Sequence, residues 1–280
     1  MDYQAGTGNV SFNFKGRTVI ITGAARGVGR ALVKAFYDSG ACVVAADRDE
    51  AGLLETCAPF IERVAAIVAD ISASEGAKAI IEEAISRYGS LDVCVNNAAV
   101  APHTALLEER VEVWDRVYAV NCRGTFLMTQ EAARVMVDGG RGGRIINFSS
   151  GASRRGSPGG AAYASSRAAV ESFSRVAAIE LSPYNILVNT VSPGLIDTQP
   201  KPLPRVMAKK LAARIPTLPL ARPGEPEEVV SVVMFLASEA SSYINGAVIS
   251  VDGGSSAGTH PSKPVVDEDP RYFWVTDRKS

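Results

Sequence analysis

Val19-Ile20-Ile21-Thr22-Gly23-Ala24-Ala25-Arg26-Gly27-Val28-Gly29-Arg30 is the stretch that decides the fold of this chain. A short β-branched run enters a glycine-spaced turn and continues as a predicted helix. Glycines in such a turn let backbone N–H groups approach a pyrophosphate, and the positive N-terminus of the helix faces the anion. The spacing is G-x-x-x-G-x-G, and as a bare pattern it indicates a nucleotide site no better than a ligand-free turn.

The residues after this turn favour a nucleotide site. A second apolar run, residues 41–46, is followed directly by Asp47. Dinucleotide folds place a carboxylate about twenty residues beyond the turn, where it binds both hydroxyls of an adenosine ribose. By itself Asp47 could equally cap a helix over residues 49–57. The order strand, turn, helix, strand and acid makes cofactor binding the better interpretation.

Composition excludes several classes of function. Lys and Arg number 29 against 30 acids, with no basic block, so we expect no nucleic-acid or membrane-surface partner. No apolar run reaches the roughly 18 residues of a membrane span, and no cationic segment precedes an apolar one at the N-terminus. The four cysteines are scattered without C-x-x-C spacing, which predicts free buried thiols in a reducing compartment. We therefore expect a cytoplasmic protein.

Strand-like runs alternate with helix-length segments along the whole chain. Their apolar, weakly alternating character is typical of strands covered on both faces. The pattern predicts an α/β fold, a Rossmann-type doubly wound, seven-stranded parallel sheet with helices on both faces. The predicted strands are 18–22, 41–46, 64–69, 92–95, 144–148, 187–191 and 247–251. A helix is predicted over 76–88, with a cap in Ser72-Ala73-Ser74-Glu75 before it and Gly89 at its end.

The sequence predicts one main domain with added ends. Residues 15–254 form the predicted Rossmann domain, residues 1–14 an N-terminal extension and residues 255–280 a C-terminal tail. Composition favours disorder for the tail, although Tyr272-Phe273-Trp274 leaves docking onto a subunit open. Prolines interrupt a short basic helical patch within 196–226, which predicts a substrate lid beyond a strand's carboxyl end.

Several motifs together carry a family resemblance. Through residues 22–29, Asn96-Asn97-Ala98-Ala99, Ser150, Tyr163-Ala164-Ser165-Ser166-Arg167 and Ser192-Pro193-Gly194, the chain resembles the short-chain dehydrogenase/reductase family over residues 14–254. The collective order and spacing carry this match, including a serine thirteen positions before the tyrosine. The chain is most similar in overall look to ketoacyl reductases and to sugar or steroid alcohol dehydrogenases. The resemblance implies interconversion of a secondary alcohol and a ketone, and it leaves the substrate open.

The resemblance also implies a role for each catalytic position. Tyr163 would be the general acid/base, Ser150 would polarise the substrate oxygen, and Asn121 would hold the helix and water of a proton relay. The position four residues after the tyrosine is a lysine in the family and Arg167 here. The residues that the resemblance assigns to the cofactor are Gly23, Arg26, Gly27, Val28, Gly29, Asp47, Arg48, Asp70, Ile71, Asn97, Tyr163, Arg167, Pro193, Gly194, Ile196 and Thr198. Among them, Asp70 and Ile71 would contact adenine, Asn97 the adenosine ribose region, and Ile196 and Thr198 the nicotinamide carboxamide.

Arg167 can supply part of what a lysine would. Lowering the pKa of a tyrosine by about three units takes about 4 kcal/mol. A unit positive charge at about 4 Å supplies about that much at an effective dielectric near 20. An arginine can also hydrogen-bond the nicotinamide ribose, but it stays protonated and cannot pass a proton onward. We therefore expect the chemistry to survive with weaker activity than a lysine would give.

Cofactor choice follows from charge. Asp47 beside a 2′-phosphate would oppose two anions, so NAD is expected over NADP. Arg26 and Arg48 favour the opposite choice, because a basic residue near this turn can receive the phosphate. Ala99 stands where the family has glycine, so its methyl group either takes room beside the cofactor or forbids a positive φ.

Other functions remain open on the sequence alone. Arg167 and Ala99 also fit a dinucleotide-binding scaffold without activity. A methyltransferase shares the glycine turn and the acid but requires neither Ser150 nor Tyr163, and no Gly-Lys-Ser/Thr of a P-loop follows the turn. His103 and His260 are too isolated for a metal site or a Ser-His-Asp triad. By resemblance the assembly is a homotetramer or homodimer, packed through the helices near Arg110 and Tyr163 and through the last strand.

Overall fold

A computed structural model describes residues 10–60, 62–198 and 205–258 of the chain. Strands and helices alternate through these residues, as the apolar runs predict. The strands are β1 Thr18–Thr22, β2 Cys42–Asp47, β3 Val64–Val68, β4 Val93–Asn96, β5 Gly143–Phe148, β6 Ile186–Pro193 and β7 Val248–Val251. The helices are α1 Gly27–Asp38, α2 Glu50–Cys57, α3 Ser74–Tyr88, α4 Val111–Tyr118, α5 Thr125–Gly139, α6 Ala161–Leu181, α7 Arg205–Arg214 and α8 Pro226–Ala237.

All seven strands pair in parallel in one sheet, which confirms the predicted fold class. The order across the sheet is β3-β2-β1-β4-β5-β6-β7. The direction of winding reverses beside β1, which pairs with β2 on one side and β4 on the other. In open parallel sheets, ligands bind in the crevice at the carboxyl ends of the strands at such a reversal. The topology therefore places the candidate site at the ends of β1 and β4.

Helices cover the sheet on both faces, and each face has its own apolar core. Leu32 and Phe36 of α1 join Val233 of α8 in one core cluster. Ile80 of α3 and Met128 of α5 belong to the other. Burial on both faces explains why the strands are continuously apolar instead of alternating.

The predicted element boundaries differ from the structure by a few residues. β2 continues through Asp47, and β6 runs through Pro193 because it pairs with both β5 and β7. The helix predicted over 76–88 begins earlier, at Ser74, and its N-cap Ala73 makes no side-chain cap. Ser72 does not act as a cap, because its hydroxyl donates to Asp70 instead. Gly89 ends this helix with a φ of +76°, as the sequence predicts.

The predicted extensions lie partly outside the described residues, namely 1–9 of the N-terminal one and 259–280 of the tail. Phe14, which the sequence assigned to the N-terminal extension, is buried against Phe36, with ring centroids 5.0 Å apart. It therefore packs as part of the core. Within the predicted lid, α7 is described and residues 199–204 are not.

The four cysteines are free thiols. Of the four, only Cys94 is buried. Its burial raises the pKa of the thiol to about 12. Cys42, Cys57 and Cys122 are half-buried, so the expectation of uniformly buried thiols is wrong. Among the described residues, none of the helices has the length and apolar character needed to cross a membrane.

A buried carboxylate ties the sheet together at the end opposite the crevice. Asp92 Oδ2 accepts the Thr18 N–H at 2.8 Å, and Oδ1 lies 3.1 Å from Arg17 Nη1. Arg141 Nη2 lies 3.5 Å from the same Oδ1. These contacts join the start of β1 to the residue before β4.

We expect Asp92→Asn to lower the free energy of unfolding by about 2 kcal/mol, because the amide nitrogen would face a donor in a charged, buried network. Urea unfolding followed by circular dichroism measures the change. Asp138→Asn is the matched control, since Asp138 is exposed and has no ion pair with a described residue, and it should stay within about 0.5 kcal/mol of wild type. Equal effects of the two substitutions would contradict the assignment.

Candidate active site

The glycine turn after β1 brings α1 into direct contact with the strand. A Cβ atom at Gly29 would lie on the Gly23 carbonyl oxygen, and one at Gly23 would lie 2.7 Å from Ala98 Cα. Gly23 and Gly27 have φ values of +70° and +55°. Glycine is therefore required at 23 and 29 by close approach and at 23 and 27 by conformation.

The N-terminus of α1 is open to an anion. Its N-cap, Arg26, makes no side-chain cap, and no acidic residue lies in the first turn. The first backbone N–H groups of a helix have no partner within the helix, and they carry the positive end of its dipole. This end of α1 has the chemistry of a phosphate site.

Asn97 stabilises the glycine turn from the adjacent strand. Its Nδ2 donates to the Thr22 carbonyl at 2.9 Å and to the Gly23 carbonyl at 3.1 Å. The side-chain amide therefore holds the end of β1 against the loop after β4. Its predicted contact with the adenosine ribose region stays a prediction.

The Asp47 carboxylate already accepts two backbone hydrogen bonds. Oδ2 accepts the Ala25 N–H and Oδ1 accepts the Asp49 N–H, both at 3.0 Å. Asp49, and not Asp47, caps α2, with Oδ1 accepting the Gly52 N–H at 3.2 Å. The interpretation of Asp47 as the cap is therefore wrong.

Two cations flank this acid. The side chains of Arg26 and Arg48 are exposed and make no hydrogen bond or ion pair with any described residue. Both are free to meet a ligand in the groove.

Asp70 is linked to α4 by a pair that the sequence did not reveal. Its Oδ2 lies 3.1 Å from Arg116 Nη2, and its Oδ1 accepts the Ser72 N–H at 2.9 Å and the Ser72 hydroxyl at 2.6 Å. Partial burial acts to raise the pKa of Asp70, but the bonds from Ser72 and Arg116 outweigh it and lower the pKa. The neighbouring Ile71 is buried and packs under Gly124, where a Cβ would lie 2.8 Å from Ile71 Cδ1.

A groove of about 1660 Å³ runs along the carboxyl ends of the central strands. Thr198 closes it from the β6 side, because its Cβ lies 3.2 Å from where a Gly27 Cβ would stand. The structure brings together most of the predicted cofactor residues around this groove, namely Gly23, Arg26, Gly27, Val28, Asp47, Arg48, Asp70, Ile71, Asn97 and Thr198.

Three predicted cofactor residues at and just after the end of β6 do not line this groove. Ile196 lines a separate cavity of about 230 Å³ together with Leu218 and Asp252. Pro193 ends β6, and Gly194 packs so closely on β7 that its Cβ would lie 2.7 Å from Asp252 Cα. The predicted cofactor contacts of Pro193, Gly194 and Ile196 therefore stay predictions.

Asn121 lies in a π-helical turn, Ala119–Gly124, between α4 and α5. Its Oδ1 accepts the Val100 N–H and its Nδ2 donates to the Val100 carbonyl, both at 2.9 Å. Nδ2 also contacts Ser166 Oγ of α6 at 3.1 Å. The buried amide therefore joins three segments: the loop after β4, the α4–α5 junction and α6.

Ser150 and Tyr163 stand on the two segments that follow β5. Ser150 Oγ accepts the Ala152 N–H at 3.2 Å, capping a short 3₁₀ turn over Gly151–Ser153. Tyr163 lies in the first turn of α6, and its hydroxyl makes no hydrogen bond with a described residue. Both hydroxyls can still donate to a ligand.

Arg167 is the largest fully buried side chain among the described residues, with 2% of its surface exposed. Its Nη1 donates to the Phe148 carbonyl at 2.8 Å, and its Cζ lies 5.3 Å from the centroid of the Tyr163 ring. Nε is buried and has no partner among the described residues. A buried guanidinium with one hydrogen bond needs further acceptors, which a hydroxyl-bearing ligand would provide.

The structure shows the surroundings of Ala99, of Arg155 and of His103, one of the two isolated histidines. Asn185 and Ala221 are the described non-glycine residues with positive φ, so the backbone at Ala99 does not require a glycine. Arg155 Nη1 donates to the Ser255 carbonyl at 2.6 Å. In the part of the chain that the structure describes, no three His, Cys, Asp or Glu side chains are grouped to hold a metal ion, and His260 lies outside that part.

The two ends of the predicted lid meet. The Asp197 N–H donates to the Gly224 carbonyl at 2.8 Å, and the Gly224 N–H donates to the Leu195 carbonyl at 2.9 Å. Just beyond, both oxygens of Glu228 lie 2.8 Å from Arg222, and Oε2 also accepts the Glu225 N–H in the capping box of α8. The hydrogen bonds from Arg222, followed by the one from Glu225, lower the pKa of Glu228 to about 2.

Comparison with known proteins gives consistent matches over most of the chain. A family model described as enoyl-(acyl carrier protein) reductase matches residues 23–256. The 3-oxoacyl-[acyl-carrier-protein] reductase of Thermotoga maritima is 38% identical over 244 residues, which cover 86% of this chain and 98% of that protein.

Two solved structures are similar in fold as well. A short-chain type dehydrogenase/reductase from Mycobacterium marinum has a TM-score of 0.82 and 34% identity, covering 88% of this chain and 98% of its own. The 3-ketoacyl-(acyl-carrier-protein) reductase of Brucella melitensis, complexed with NADH, has a TM-score of 0.81 and 31% identity, covering 87% and 100%.

We expect Glu228→Gln to lower the free energy of unfolding at pH 7 by about 1 kcal/mol, because a neutral amide pairs less well with Arg222 and the helix end. Since the folded protein holds the pKa of Glu228 near 2, below its ordinary value of 4.5, the wild-type advantage is complete above about 4.5. It should shrink as the pH falls toward 2. Urea unfolding of both proteins from pH 7 to pH 3 measures this difference.

Glu227→Gln is the control, because Glu227 shares the first turn of α8 but has no ion pair with a described residue. A difference between wild type and Glu228→Gln that does not change with pH would contradict the assignment.

Proposed function

The chain belongs to the short-chain dehydrogenase/reductase family of oxidoreductases, and we propose that it interconverts a secondary alcohol and a ketone by hydride transfer with a nicotinamide cofactor, NAD being preferred. Membership of an oxidoreductase family makes the methyltransferase alternative wrong. The related enzymes whose names specify a 3-oxoacyl or 3-ketoacyl substrate support a ketone as the reacting group.

The residues at the groove fit a dinucleotide. The glycine turn brings the N-terminus of α1 to the groove, which Gly23 and Gly27 line, and Asp47 stands at the end of β2. The buried Nε of Arg167 without a partner is the observation that carries the proposal, because burying an unsatisfied cation is costly unless a ligand completes its hydrogen bonds. The bound nicotinamide would supply the hydride chemistry.

We assign the proton to Tyr163 and the substrate oxygen to Ser150. The Tyr163 hydroxyl has no hydrogen bond with a described residue, so it can exchange a proton with a substrate oxygen. The Ala152 N–H takes one lone pair of Ser150 Oγ, which leaves the hydroxyl proton to be donated to the same oxygen. Asn121 would act by position, since its amide links the loop after β4 to α6.

Arg167 supplies a fixed positive charge beside the phenol. Its guanidinium lies against the Tyr163 ring, where it offsets negative charge that develops on the ring during proton transfer. Its bond to the Phe148 carbonyl holds it in that place. The same bond also favours the second candidate function, a dinucleotide-binding scaffold without activity, because it occupies one of the donors that a substrate or ribose would need.

We expect wild-type protein to change the NADH absorption band with members of a panel of ketones and secondary alcohols. Tyr163→Phe should lower kcat at least about 100-fold, because the acid/base group is lost. Arg167→Lys should raise kcat by up to about tenfold, because an ammonium group can also transfer a proton. Dinucleotide titration by fluorescence is the control, since Tyr163→Phe should still bind. If the wild type shows no activity on any substrate that Arg167→Lys turns over, the enzyme assignment is rejected in favour of a dinucleotide-binding scaffold.

NAD preference rests on Asp47. A 2′-phosphate near its carboxylate would oppose two anions at a cost of about a few kcal/mol. The NADH named with the related reductase of Brucella melitensis supports the same choice. Arg26 and Arg48 have no partner among the described residues, so they remain able to receive a phosphate.

We expect Asp47→Asn to tighten NADP binding relative to NAD by at least about tenfold, because it removes the charge while keeping one acceptor oxygen for the Ala25 N–H. Kd values for both dinucleotides, measured by fluorescence titration, give the ratio. Asp49→Asn, a neighbouring acid in the same groove, is the control and should leave the ratio unchanged. Tighter binding of NADP than of NAD by the wild type would reverse the assignment.

The outer faces of α5 and α6 fit a second copy of the chain. Phe126 packs edge-on to Phe173 with ring centroids 5.8 Å apart. Val176 and Ile179 are exposed further along α6. We propose that this apolar face forms a contact in a homodimer or homotetramer. The free cysteines support a reducing, cytoplasmic location, which we also propose.

A further inference from the structure

A buried carboxylate lies beneath the Ser150 turn. Glu171 is on α6, two turns after Tyr163, and only 7% of its surface is exposed. Its Oε1 accepts the Ser149 hydroxyl at 2.7 Å and the Ser153 hydroxyl at 2.6 Å. These two serines stand on either side of Ser150, so one carboxylate oxygen holds both flanks of that residue.

Besides the bonds to Glu171, the Ser149 hydroxyl also lies 3.3 Å from the Arg167 carbonyl oxygen of α6. The Ser149 N–H donates to the Val191 carbonyl of β6 at 2.8 Å. Within the turn, the Ala152 N–H bonds Ser150 Oγ, and Ser153 Oγ lies 2.8 Å from the Ser150 carbonyl oxygen. The direction of the Ser150 hydroxyl therefore depends on the turn as a unit, and Glu171 connects that unit to the helix.

Helix periodicity places the groups involved on one face. Tyr163, Arg167 and Glu171 are spaced four residues apart on α6, so they follow each other along the side that faces β5. One helix thus carries the phenol in its first turn and, two turns later, the carboxylate beneath the serine turn.

The buried charge of Glu171 is compensated locally. Besides the two serine hydroxyls, Arg154 Nε lies 3.7 Å from Oε2 at the surface end of the carboxylate. Buried carboxylates persist when hydrogen bonds and a counter-charge offset their desolvation. All three partners belong to residues 149–154, the segment that surrounds Ser150.

We propose that Glu171 is a positioning residue, which sets the distance between the Ser150 hydroxyl and Tyr163 by binding the hydroxyls of Ser149 and Ser153. Its catalytic consequence rests on the function proposed above for Ser150 and Tyr163. Glu171 itself need not touch substrate or cofactor. What matters is an acceptor oxygen at this place, and a negative charge is not required.

Four variants separate this role from a general effect on stability. Glu171→Leu removes only the acceptor. The double variant Ser149→Ala/Ser153→Ala removes the same two bonds from the turn, together with the contacts of these hydroxyls with the Arg167 and Ser150 carbonyls. Glu171→Gln keeps an acceptor oxygen without the charge. Ser174→Ala is the matched control, because Ser174 is a buried hydroxyl one turn further along α6 that bonds Asn147 and not the Ser150 turn.

The first readout does not need turnover. Hydrogen exchange of the amides at 152–154, which bond within the turn, should become faster in Glu171→Leu and in the double serine variant. Glu171→Gln and Ser174→Ala should keep the wild-type rate. Unchanged exchange in Glu171→Leu and the double variant would overturn the positioning role even if the protein has no activity.

The second readout is turnover, for which kcat is measured together with the Kd of the dinucleotide. Glu171→Leu and the double variant should lower kcat by about 10- to 100-fold through misplacement of Ser150, with dinucleotide Kd unchanged. Glu171→Gln should restore kcat to near wild type. Loss of kcat in Glu171→Gln equal to that in Glu171→Leu would overturn the role proposed for the acceptor oxygen. An inactive wild type would refute the proposed function instead, and the exchange data would still decide the role of Glu171.

Discussion

The close approach of α1 to β1 is the constraint on which the rest of the structure depends. With hydrogen atoms alone at Gly23 and Gly29, the first turn of the helix lies directly on the strand end. Any methyl group there would separate them, and the helix N-terminus would no longer open onto the groove. Asn97 then locks the loop after β4 onto the same turn through two carbonyl oxygens. The groove at the centre of the sheet follows from these contacts.

A second set of contacts organises the other half of the site around α6. This helix presents Tyr163, Arg167 and Glu171 along one side, and the Arg167 guanidinium contacts the Tyr163 ring. Arg167 binds the last carbonyl of the strand, and Glu171 binds the serines just beyond it. The Arg167 guanidinium is therefore held between the end of β5 and the ring of Tyr163. Its Cζ lies 5.3 Å from the centre of that ring, within the range of a cation–π contact.

Two charge pairs hold loops at this edge of the sheet. Arg116 of α4 reaches Asp70 after β3, and Arg222, near the end of the predicted lid, reaches Glu228 of α8. Both pairs lower the pKa of the carboxylate involved. The first pair links a loop that lines the groove to α4, and the second links the predicted lid, beside the smaller cavity, to α8. Loops held in this way can carry binding groups without being buried themselves.

The amino-acid sequence by itself determined the seven parallel strands, the glycine turn and the family. These features arise from local patterns, namely apolar periodicity, required glycines and fixed spacing, which act through neighbours along the chain. Only the tertiary structure decided the partners of the site residues. The bonds of Asn97 to β1, of Arg116 to Asp70 and of Glu171 to the serine turn join segments that lie apart in sequence. The observed ends of β6 differ from the predicted ones for the same reason. A strand continues as long as an adjacent strand offers backbone hydrogen-bond partners, and the sequence of one strand does not encode where its neighbours end.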